Sequence, residues 1–271
     1  MKTATLALMC VGLVITSLVF TKGSYAEINP ADIAGIWLLN EGDGDEAEDI
    51  SGNEIHGVIK GKPEWVEGKY GKALELDGVD DSVEVMTNNI GTAEQLTVSV
   101  LVKPDEQALG QYGDHKDIVR SHKIGGGTWS INTQTGFNGN DKLQIHVAWI
   151  EGGDLWWSPA NDVVAVKGEW NYLTVVWDRD AGTAIFYRDG ERIAETKPPV
   201  GAKPITTGFD IGNDWAGPFK GVIDEVAIFN AALDEDDIKN IGTKGMEWAL
   251  DPIAVDIQGK LATSWGEMKV K

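Results

Sequence analysis

Short strand-like runs recur along most of the chain and limit the fold more than any other feature of the sequence. They are rich in Val, Ile, Trp, Tyr and Thr, and Gly, Asn, Asp or Pro punctuates them at roughly ten-residue spacing. The runs are Gly35–Asn40, Leu74–Leu76, Ser82–Met86, Leu96–Lys103, Asp117–Ser121, Leu143–Trp149, Tyr172–Asp178, Thr183–Arg188 and Phe219–Phe229. The pattern predicts an all-β protein whose strands form a sandwich or a barrel.

Two local elements can be read with more detail. The segment Tyr187–Arg192 predicts a hairpin with Asp189 and Gly190 at its turn. The segment Leu233–Ile241 predicts a short helix, because its acidic residues come early, where they suit the helix dipole. Gly242 is expected to end this helix.

The first 26 residues have the features of a secretory signal peptide. A positive start at Lys2 precedes an apolar stretch over Ala4–Phe20, and Ser24–Ala26 supplies the small residues of a cleavage site. The protein is therefore expected to be secreted, to a periplasm, a cell surface or the medium. An uncleaved membrane anchor is the alternative.

The single cysteine, Cys10, lies in this segment, so no intramolecular disulfide can form.

The charge of the chain narrows the range of partners. The formal net charge is −20, and the first 26 residues contain two lysines and no acidic residue, so the remainder is more acidic still. Binding to phosphate groups needs a basic surface, which argues against nucleic acid and against an anionic membrane surface. Divalent cations and neutral sugars are compatible with this charge.

Six stretches occur in an order that resembles one family, the laminin-G-like, concanavalin A-like jelly rolls of secreted bacterial proteins. The resemblance covers about residues 33–241, and it implies two antiparallel sheets packed face to face, about a dozen strands and a final helix against one edge. The stretches are GIWLLNEGDGDEAEDISGNEIHGVI, WVEGKYGKALELDGVDDSVEV, LTVSVLVKPDE, GEWNYLTVVWDRDAGTAIFYRDGERIAE, FDIGND and FKGVIDEVAIFNAALDEDDIKNI. The predicted domains are a signal peptide (1–26), the jelly roll (27–242) and a C-terminal extension of unknown role (243–271).

Three aspartates, Asp77, Asp80 and Asp81, surround Gly78 between two predicted strands. One interpretation is a hairpin turn, in which Asp side chains bond the backbone and glycine tolerates a positive φ. The other is a site for calcium, which takes six to eight oxygen ligands.

An acidic residue on an apolar strand face gives a second indication of a cation. Asp224 has the same parity as Val222, Val226 and Ile228, so it is expected to point with them and to need a partner or a metal. The resemblance implies that Asp224 is a calcium ligand together with groups from the first strand and the Asp-Gly turn. The ligands expected on that basis are Asp224, Asn40, Asp49, Asp77 and a carbonyl near Gly78. Asn40 stands where family members often have Asp, which should weaken the binding.

Tryptophans are the candidates for sugar binding. Trp149, Trp156 and Trp157 lie close together, and since neighbours on a strand face opposite ways, one of Trp156 and Trp157 should be exposed. An exposed indole can stack on a sugar ring. Trp215, in a predicted loop, is a further candidate. Alternatively these rings cover the core, as Trp37, Trp170 and Trp177 are expected to do.

Catalytic signatures are weak. Some concanavalin-like glucanases carry a Glu-x-Asp-x-(x)-Glu motif, which Glu75, Asp77 and Asp80 match only in part, without the last glutamate. The four histidines, His56, His115, His122 and His146, show no spacing typical of zinc.

The sequence thus predicts a secreted, non-catalytic module that binds a glycan and carries a structural calcium ion. A cell-surface adhesion or protein-interaction module of the same fold is the alternative, and a glycoside hydrolase is the least favoured.

Overall fold

A computed structural model of the chain shows two antiparallel sheets, which confirms the predicted all-β sandwich. It describes residues 28–87, 90, 94–105, 115–122, 127–134, 143–151, 156–157, 164–178, 180–197, 208–213 and 218–247. The predicted signal peptide and most of the predicted C-terminal extension lie outside these residues. Within them, no helix is long and apolar enough to cross a bilayer.

The described residues contain 17 strands, one short 3-10 helix at Pro30–Asp32 and one α-helix, α1, at Glu235–Lys244. In chain order the strands are β1 (Ile33–Trp37), β2 (Glu46–Ala47), β3 (Gly57–Lys60), β4 (Glu64–Glu67), β5 (Lys72–Asp77), β6 (Ser82–Met86), β7 (Gln95–Pro104), β8 (His115–Ser121), β9 (Gly127–Gln134), β10 (Leu143–Glu151), β11 (Trp156–Trp157), β12 (Val164–Ala165), β13 (Asn171–Asp178), β14 (Thr183–Arg188), β15 (Glu191–Thr196), β16 (Gly208–Ile211) and β17 (Lys220–Phe229). All nine predicted strand-like runs correspond to strands, and two of them, β6 and β14, have the predicted bounds.

The strands are divided between a first sheet and a second sheet. The first has eight strands in the order β15-β14-β13-β7-β17-β5-β4, with β1 also paired to β17. The second has nine strands in the order β11-β10-β9-β8-β16-β6-β3-β2, with β12 also paired to β10.

Aromatic side chains fill the space between the sheets. The ring of Trp37, on the first sheet, meets the edge of Phe209, on the second, with ring centroids 5.1 Å apart. The indole N–H of Trp37 donates to the backbone carbonyl of Ile55 at 3.0 Å, so the polar atom of this buried ring has a partner. Trp37 and Trp177 are buried, as predicted, whereas Trp170 is half-buried against the outer cluster described below.

Helix α1 begins two residues later and ends three residues later than the predicted segment Leu233–Ile241. Asp234 caps it by accepting a hydrogen bond from the N–H of Asp237 at 2.9 Å. Gly242, predicted to end the helix, lies inside it. A Cβ at this position would collide with the backbone of Gly190 in the β14–β15 hairpin turn, which explains the glycine. Gly242 thus permits close packing of the helix against the hairpin turn. The helix ends before Gly245, which has φ of 88°.

The helix packs on the outer face of the first sheet and contacts its edge strand β15, where Arg192 pairs with Glu235 at 3.5 Å. Ile238 and Ile241 belong to a second apolar cluster that includes Leu101 and Ala227 on that face. Met246 is also buried in this cluster, so the packed domain extends beyond the predicted boundary at residue 242.

Strand β17 is interrupted by a bulge at Asp224 and Glu225. Its pairing with β7 shifts register between Ile223 and Val226, so one extra residue is inserted. This corrects the predicted parity: Ile223, not Val222, faces the core between the sheets together with Val226. Along its other side, β17 pairs with β5 up to Ile223 and with β1 from Val226 onward. The bulge therefore lies where β17 exchanges one partner for the other.

Glu225 ties the bulge to the segment after the helix. Its carboxylate accepts hydrogen bonds from the hydroxyl of Tyr172 at 2.9 Å and from the N–H of Met246 at 3.0 Å. The side chain is 1% exposed, and this burial raises its pKa to about 7.

Replacement of Glu225 by Gln is expected to flatten the pH dependence of stability. A folded-state pKa of about 7, above the ordinary value of 4.5, means that the folded state binds more protons, so the free energy of unfolding falls as the pH rises between these values. Between pH 4.5 and about 7, the free energy of unfolding of the wild type should fall by roughly 3 kcal/mol more than that of the variant. Urea unfolding across the window measures the difference. Exposed Glu75 on the same sheet provides the control: Glu75→Gln should keep the wild-type slope. An unchanged slope in Glu225→Gln would contradict the assignment.

Candidate functional site

Two of the predicted calcium ligands meet at one tight turn. The turn covers residues 68–71, between β4 and β5, and the N–H of Gly68 donates to the carbonyl of Gly71. Asp224 Oδ2 accepts hydrogen bonds from the N–H of Lys69 at 2.6 Å and of Tyr70 at 3.0 Å. Asn40, which follows β1, accepts one from the N–H of Lys72 at 2.6 Å. The two side chains thereby fasten the gap where β17 changes from β5 to β1.

One oxygen of the Asp224 carboxylate accepts no hydrogen bond from the described residues. The side chain is fully buried, and among the described residues no hydrogen-bond donor reaches its Oδ1. A Cβ added at Gly68 would lie 2.5 Å from Asp224 Oδ2 and 2.8 Å from the carbonyl oxygen of Lys72, so glycine leaves room for these oxygens. A buried oxygen without a donor is costly unless a proton or a cation compensates it.

Burial raises the pKa of Asp224 to about 6, although the hydrogen bonds from Tyr70 and Lys69 oppose this. The charged form therefore destabilises the fold as the pH rises from 3.8 toward 6. A bound cation would reverse that effect because it favours the carboxylate.

Asp49 is fully engaged in holding the backbone. Its Oδ1 accepts hydrogen bonds from the N–H groups of Ile36 and Ser51, both at 2.9 Å. Its Oδ2 accepts from the hydroxyl of Ser51 at 2.9 Å and from the N–H of Ile55 at 3.0 Å. Four donors on one buried carboxylate indicate a structural role, and they account for both oxygens that a metal would need.

Asp77 and Gly78 lie at the other end of β5. Asp77 pairs with Lys220, four residues before Asp224 on β17, which corresponds to about 13 Å along the strand. Asp77 Oδ1 accepts from the N–H of Val79 at 2.7 Å, and Gly78 has φ of 79°. These are the features of the turn interpretation. The five predicted ligands are thus not brought together in one place.

The backbone register separates the two adjacent tryptophans of β11. Trp156 lies opposite Ala148 and Trp157 opposite Val147. Continued across the second sheet, these pairings define an outer row and a core row. The outer row is Trp156, Ala148, Ser130, Arg120, Asp210, Glu84 and Val58, and the core row is Trp157, Val147, Ile131, Val119, Ile211, Val83 and Ile59.

The described members of the two rows differ in burial. Val119, Ile131, Ile211 and Val83 of the core row are buried between the sheets, whereas Val58 of the outer row is 48% exposed. Trp149, paired with Trp129, is two residues from Val147 and shares the parity of the core row. Trp215 lies outside the described residues.

Sequence spacing missed one group of side chains. Glu84, His122 and Asp210 have ligand-capable atoms within 4.8 Å of one another. A second such group among the described residues is Asp77, Asp80 and Asp81. The first group comes from three different strands, so a search for local histidine spacing could not find it.

Solved structures of carbohydrate-related and toxin proteins share this fold. Domain 4 of AbnA, an extracellular arabinanase from Geobacillus stearothermophilus crystallised in complex with arabinotriose, is 24% identical, with a TM-score of 0.60 over 78% of this chain and 98% of that one. The binding domain of Paraclostridial Mosquitocidal Protein 1 is 15% identical, with a TM-score of 0.59 over 79% of this chain and 52% of that one. A Trypanosoma rangeli sialidase in complex with sialic acid is 11% identical, with a TM-score of 0.56 over 84% of this chain and 33% of that one. The chain thus spans nearly all of the arabinanase domain, about half of the toxin binding domain and a third of the sialidase.

A protein-family model gives the most direct assignment. No curated protein sequence matches the chain significantly. The family model Laminin_G_3, described as the concanavalin A-like lectin/glucanases superfamily, matches residues 77–239. This range includes β6 to β17 and the first half of helix α1. The chain therefore belongs to the Laminin_G_3 family of the concanavalin A-like lectin/glucanases superfamily.

Proposed function

We propose that the chain is a secreted, non-catalytic carbohydrate-binding module whose fold is stabilised by a calcium ion. The match to a whole arabinanase domain crystallised with arabinotriose supports a glycan as ligand. The structural observation that carries the proposal is the outer row of the second sheet. Sugar recognition combines an aromatic ring, for stacking, with polar groups that fix the hydroxyls.

The outer row combines described polar side chains with a tryptophan position in the same backbone register. Arg120, Asp210 and Glu84 are half-buried there, so their polar atoms are held by the sheet and still reach solvent. Trp156 occupies the same register row, three strands from Arg120. Met86, on β6, adds a 61% exposed apolar side chain two residues from Glu84.

The partial glucanase motif does not continue along a strand in this structure, which supports a non-catalytic role. Glu75 and Asp77 lie on the exposed side of β5, next to the edge strand of the first sheet. Asp77 caps its own turn, and β5 ends at this residue, so the motif does not continue along a strand. Glycoside hydrolysis needs two carboxylates about 5–9.5 Å apart across a bound sugar, and a strand that ends at Asp77 does not present the rest of the motif for this purpose.

Replacement of Trp156 by Ala is expected to weaken glycan binding with little effect on stability. Loss of a stacking ring should cost ~1.5 kcal/mol, which corresponds to about a tenfold loss of affinity. A glycan array that includes arabino-oligosaccharides first identifies the best ligand. Isothermal titration calorimetry with that ligand then measures the change in affinity. Trp157→Ala is the matched control. It lies in the core row, so it should lower the melting temperature.

A glycan affinity that is equal in Trp156→Ala and wild type would contradict the placement of the sugar on this face. An array without any bound glycan, for a protein shown to be folded, would contradict the function itself and favour the protein-interaction alternative.

Calcium is proposed at the turn formed by residues 68–71. Asp224 supplies its unpartnered Oδ1, and two residues next to the turn supply neutral oxygens: the side-chain amide of Asn40 and the backbone carbonyl of Lys72. This donor chemistry fits calcium, which takes carboxylate, amide and backbone oxygens together with waters. The ion would neutralise a buried negative charge at the place where β17 changes partners.

Calcium is expected to raise the melting temperature of chelator-treated protein. Free calcium at 100 times its dissociation constant would stabilise the fold by about 2.7 kcal/mol, or roughly 5–10 °C. The shift should be larger above pH 6 than below it, because protons compete for the Asp224 carboxylate. Scanning fluorimetry with calcium and with chelator measures it. Asp224→Asn should abolish the shift, and Asn40→Asp, which adds a charge, should enlarge it.

Two control variants separate this site from the other predicted ligands. Asp77→Asn should keep the full calcium shift. Asp49→Asn should lower the melting temperature with and without calcium, since it removes acceptors for buried N–H groups, and should also keep the shift. A calcium-dependent rise in melting temperature that persists in Asp224→Asn would contradict the proposed site.

A further inference from the structure

Glu84, His122 and Asp210 are brought together by three neighbouring strands of the second sheet. Glu84 on β6 lies directly opposite Asp210 on β16, and His122 follows β8, the next strand in the sheet. The N–H of His122 donates to the carbonyl of Gly208, which places the imidazole diagonally across from Asp210. Because the alternate residues Val83 and Phe209 are buried in the core, the three side chains share the outer face.

The three side chains are close enough to share one ion. His122 Nε2 lies 3.0 Å from Asp210 Oδ2, and one ligand-capable atom from each residue lies within 4.8 Å of the others. Two ligands on one tetrahedral zinc ion are about 3.3 Å apart, given bond lengths of about 2.0–2.1 Å. Small side-chain rotations can therefore satisfy a common ion.

The electrostatics of the group favour a cation. Two carboxylates directly opposite each other on adjacent strands repel. Two positive side chains compensate part of this repulsion: Lys60 Nζ lies 3.2 Å from Glu84 Oε2, and Arg120 on β8 lies opposite Asp210. The side chains of His122 and Asp210 are each 24% exposed, so the group is held by the sheet and remains open to solvent on one side.

Gly208 makes the space that the imidazole occupies. A Cβ at this position would lie 2.9 Å from His122 Nδ1, closer than an ordinary contact. A side chain at residue 208 would therefore displace the ring from its position beside Asp210. The same Cβ would also collide with the carbonyl oxygen of Val85, so the backbone requires glycine here as well.

We propose that Glu84, His122 and Asp210 form a binding site for zinc, with three protein ligands and a fourth position open to water. One imidazole nitrogen and two carboxylate oxygens form a ligand set that suits zinc, whereas calcium takes oxygen alone. The site lies on the second sheet, whereas the proposed calcium site lies beside β17 on the first. The two sites are therefore independent.

Zinc binding is measured by titration of the chelator-treated full chain with zinc chloride in the presence of saturating calcium. We expect one equivalent to bind in calorimetry. Co²⁺ as a substitute should give the visible absorption bands of a four-coordinate ion. His122→Gln, Glu84→Gln and Asp210→Asn should each weaken zinc binding by at least about tenfold, since even groups behind the ligands are worth about 10–100-fold. Asp80→Asn, in the other acidic group, should bind zinc as the wild type does.

Zinc affinity that is unchanged in His122→Gln, or an absence of zinc binding by the wild type, would overturn the proposal and leave a simple hydrogen-bonded His–Asp pair. The melting temperature, measured in parallel, reports whether each variant is folded. A second measurement needs no variant: in NMR spectra of the wild-type imidazole nitrogens, zinc should shift the signal of His122 and leave those of His56, His115 and His146 in place. A shift of several histidines together would indicate nonspecific binding and would also overturn the proposal.

Discussion

The bulge at Asp224 and Glu225 is the interaction on which much of the structure depends. At this point β17 stops pairing with β5 and begins to pair with β1. The gap between β5 and β1 must be bridged for β17 to continue as one strand. The two adjacent carboxylates of the bulge anchor it to different segments of the chain. Asp224 holds the turn before β5, and Glu225 holds the segment that follows the helix.

This arrangement concentrates buried negative charge where the backbone is least regular. Neither carboxylate has a described cationic partner that offsets its burial fully, and the pKa of each is raised, to about 6 and about 7. The charge can be relieved by protonation or by a cation. In the first case acid would stabilise the bulge. In the second, calcium would stabilise it at neutral pH, so the two conditions test different compensations of the same charge.

Much of the fold could be predicted from the sequence because it depends on local patterns. Alternating residues located the strands, and an Asp-Gly pair located the hairpin turn at Asp189 and Gly190. The end of α1 was misplaced, because Gly242 serves a contact with a hairpin some 50 residues away in sequence, which no local rule reveals.

The candidate sites were harder to predict for the same reason. Strand parity misjudged the neighbours of Asp224, since a bulge resets the alternation and leaves no signature in the residues themselves. The family resemblance suggested Asp49 and Asp77 as ligands, but both oxygens of Asp49 accept hydrogen bonds from nearby groups, and Asp77 lies at the far end of β5 from Asp224. The Glu84–His122–Asp210 group depends on strand order and register, which residue spacing along one strand does not encode.

The central position of β17 also determines how the domain can fold. This strand is the last one among the described residues, yet it pairs with β1, β5 and β7, whose residues precede it by more than 100 positions. Such long-range pairings carry a large loop-closure cost and make folding slow. During synthesis the first sheet cannot be completed until residues near 229 have emerged. Before then, β1, β5 and β7 lack their common partner, so the unfinished chain exposes unpaired strand edges and is most prone to aggregation.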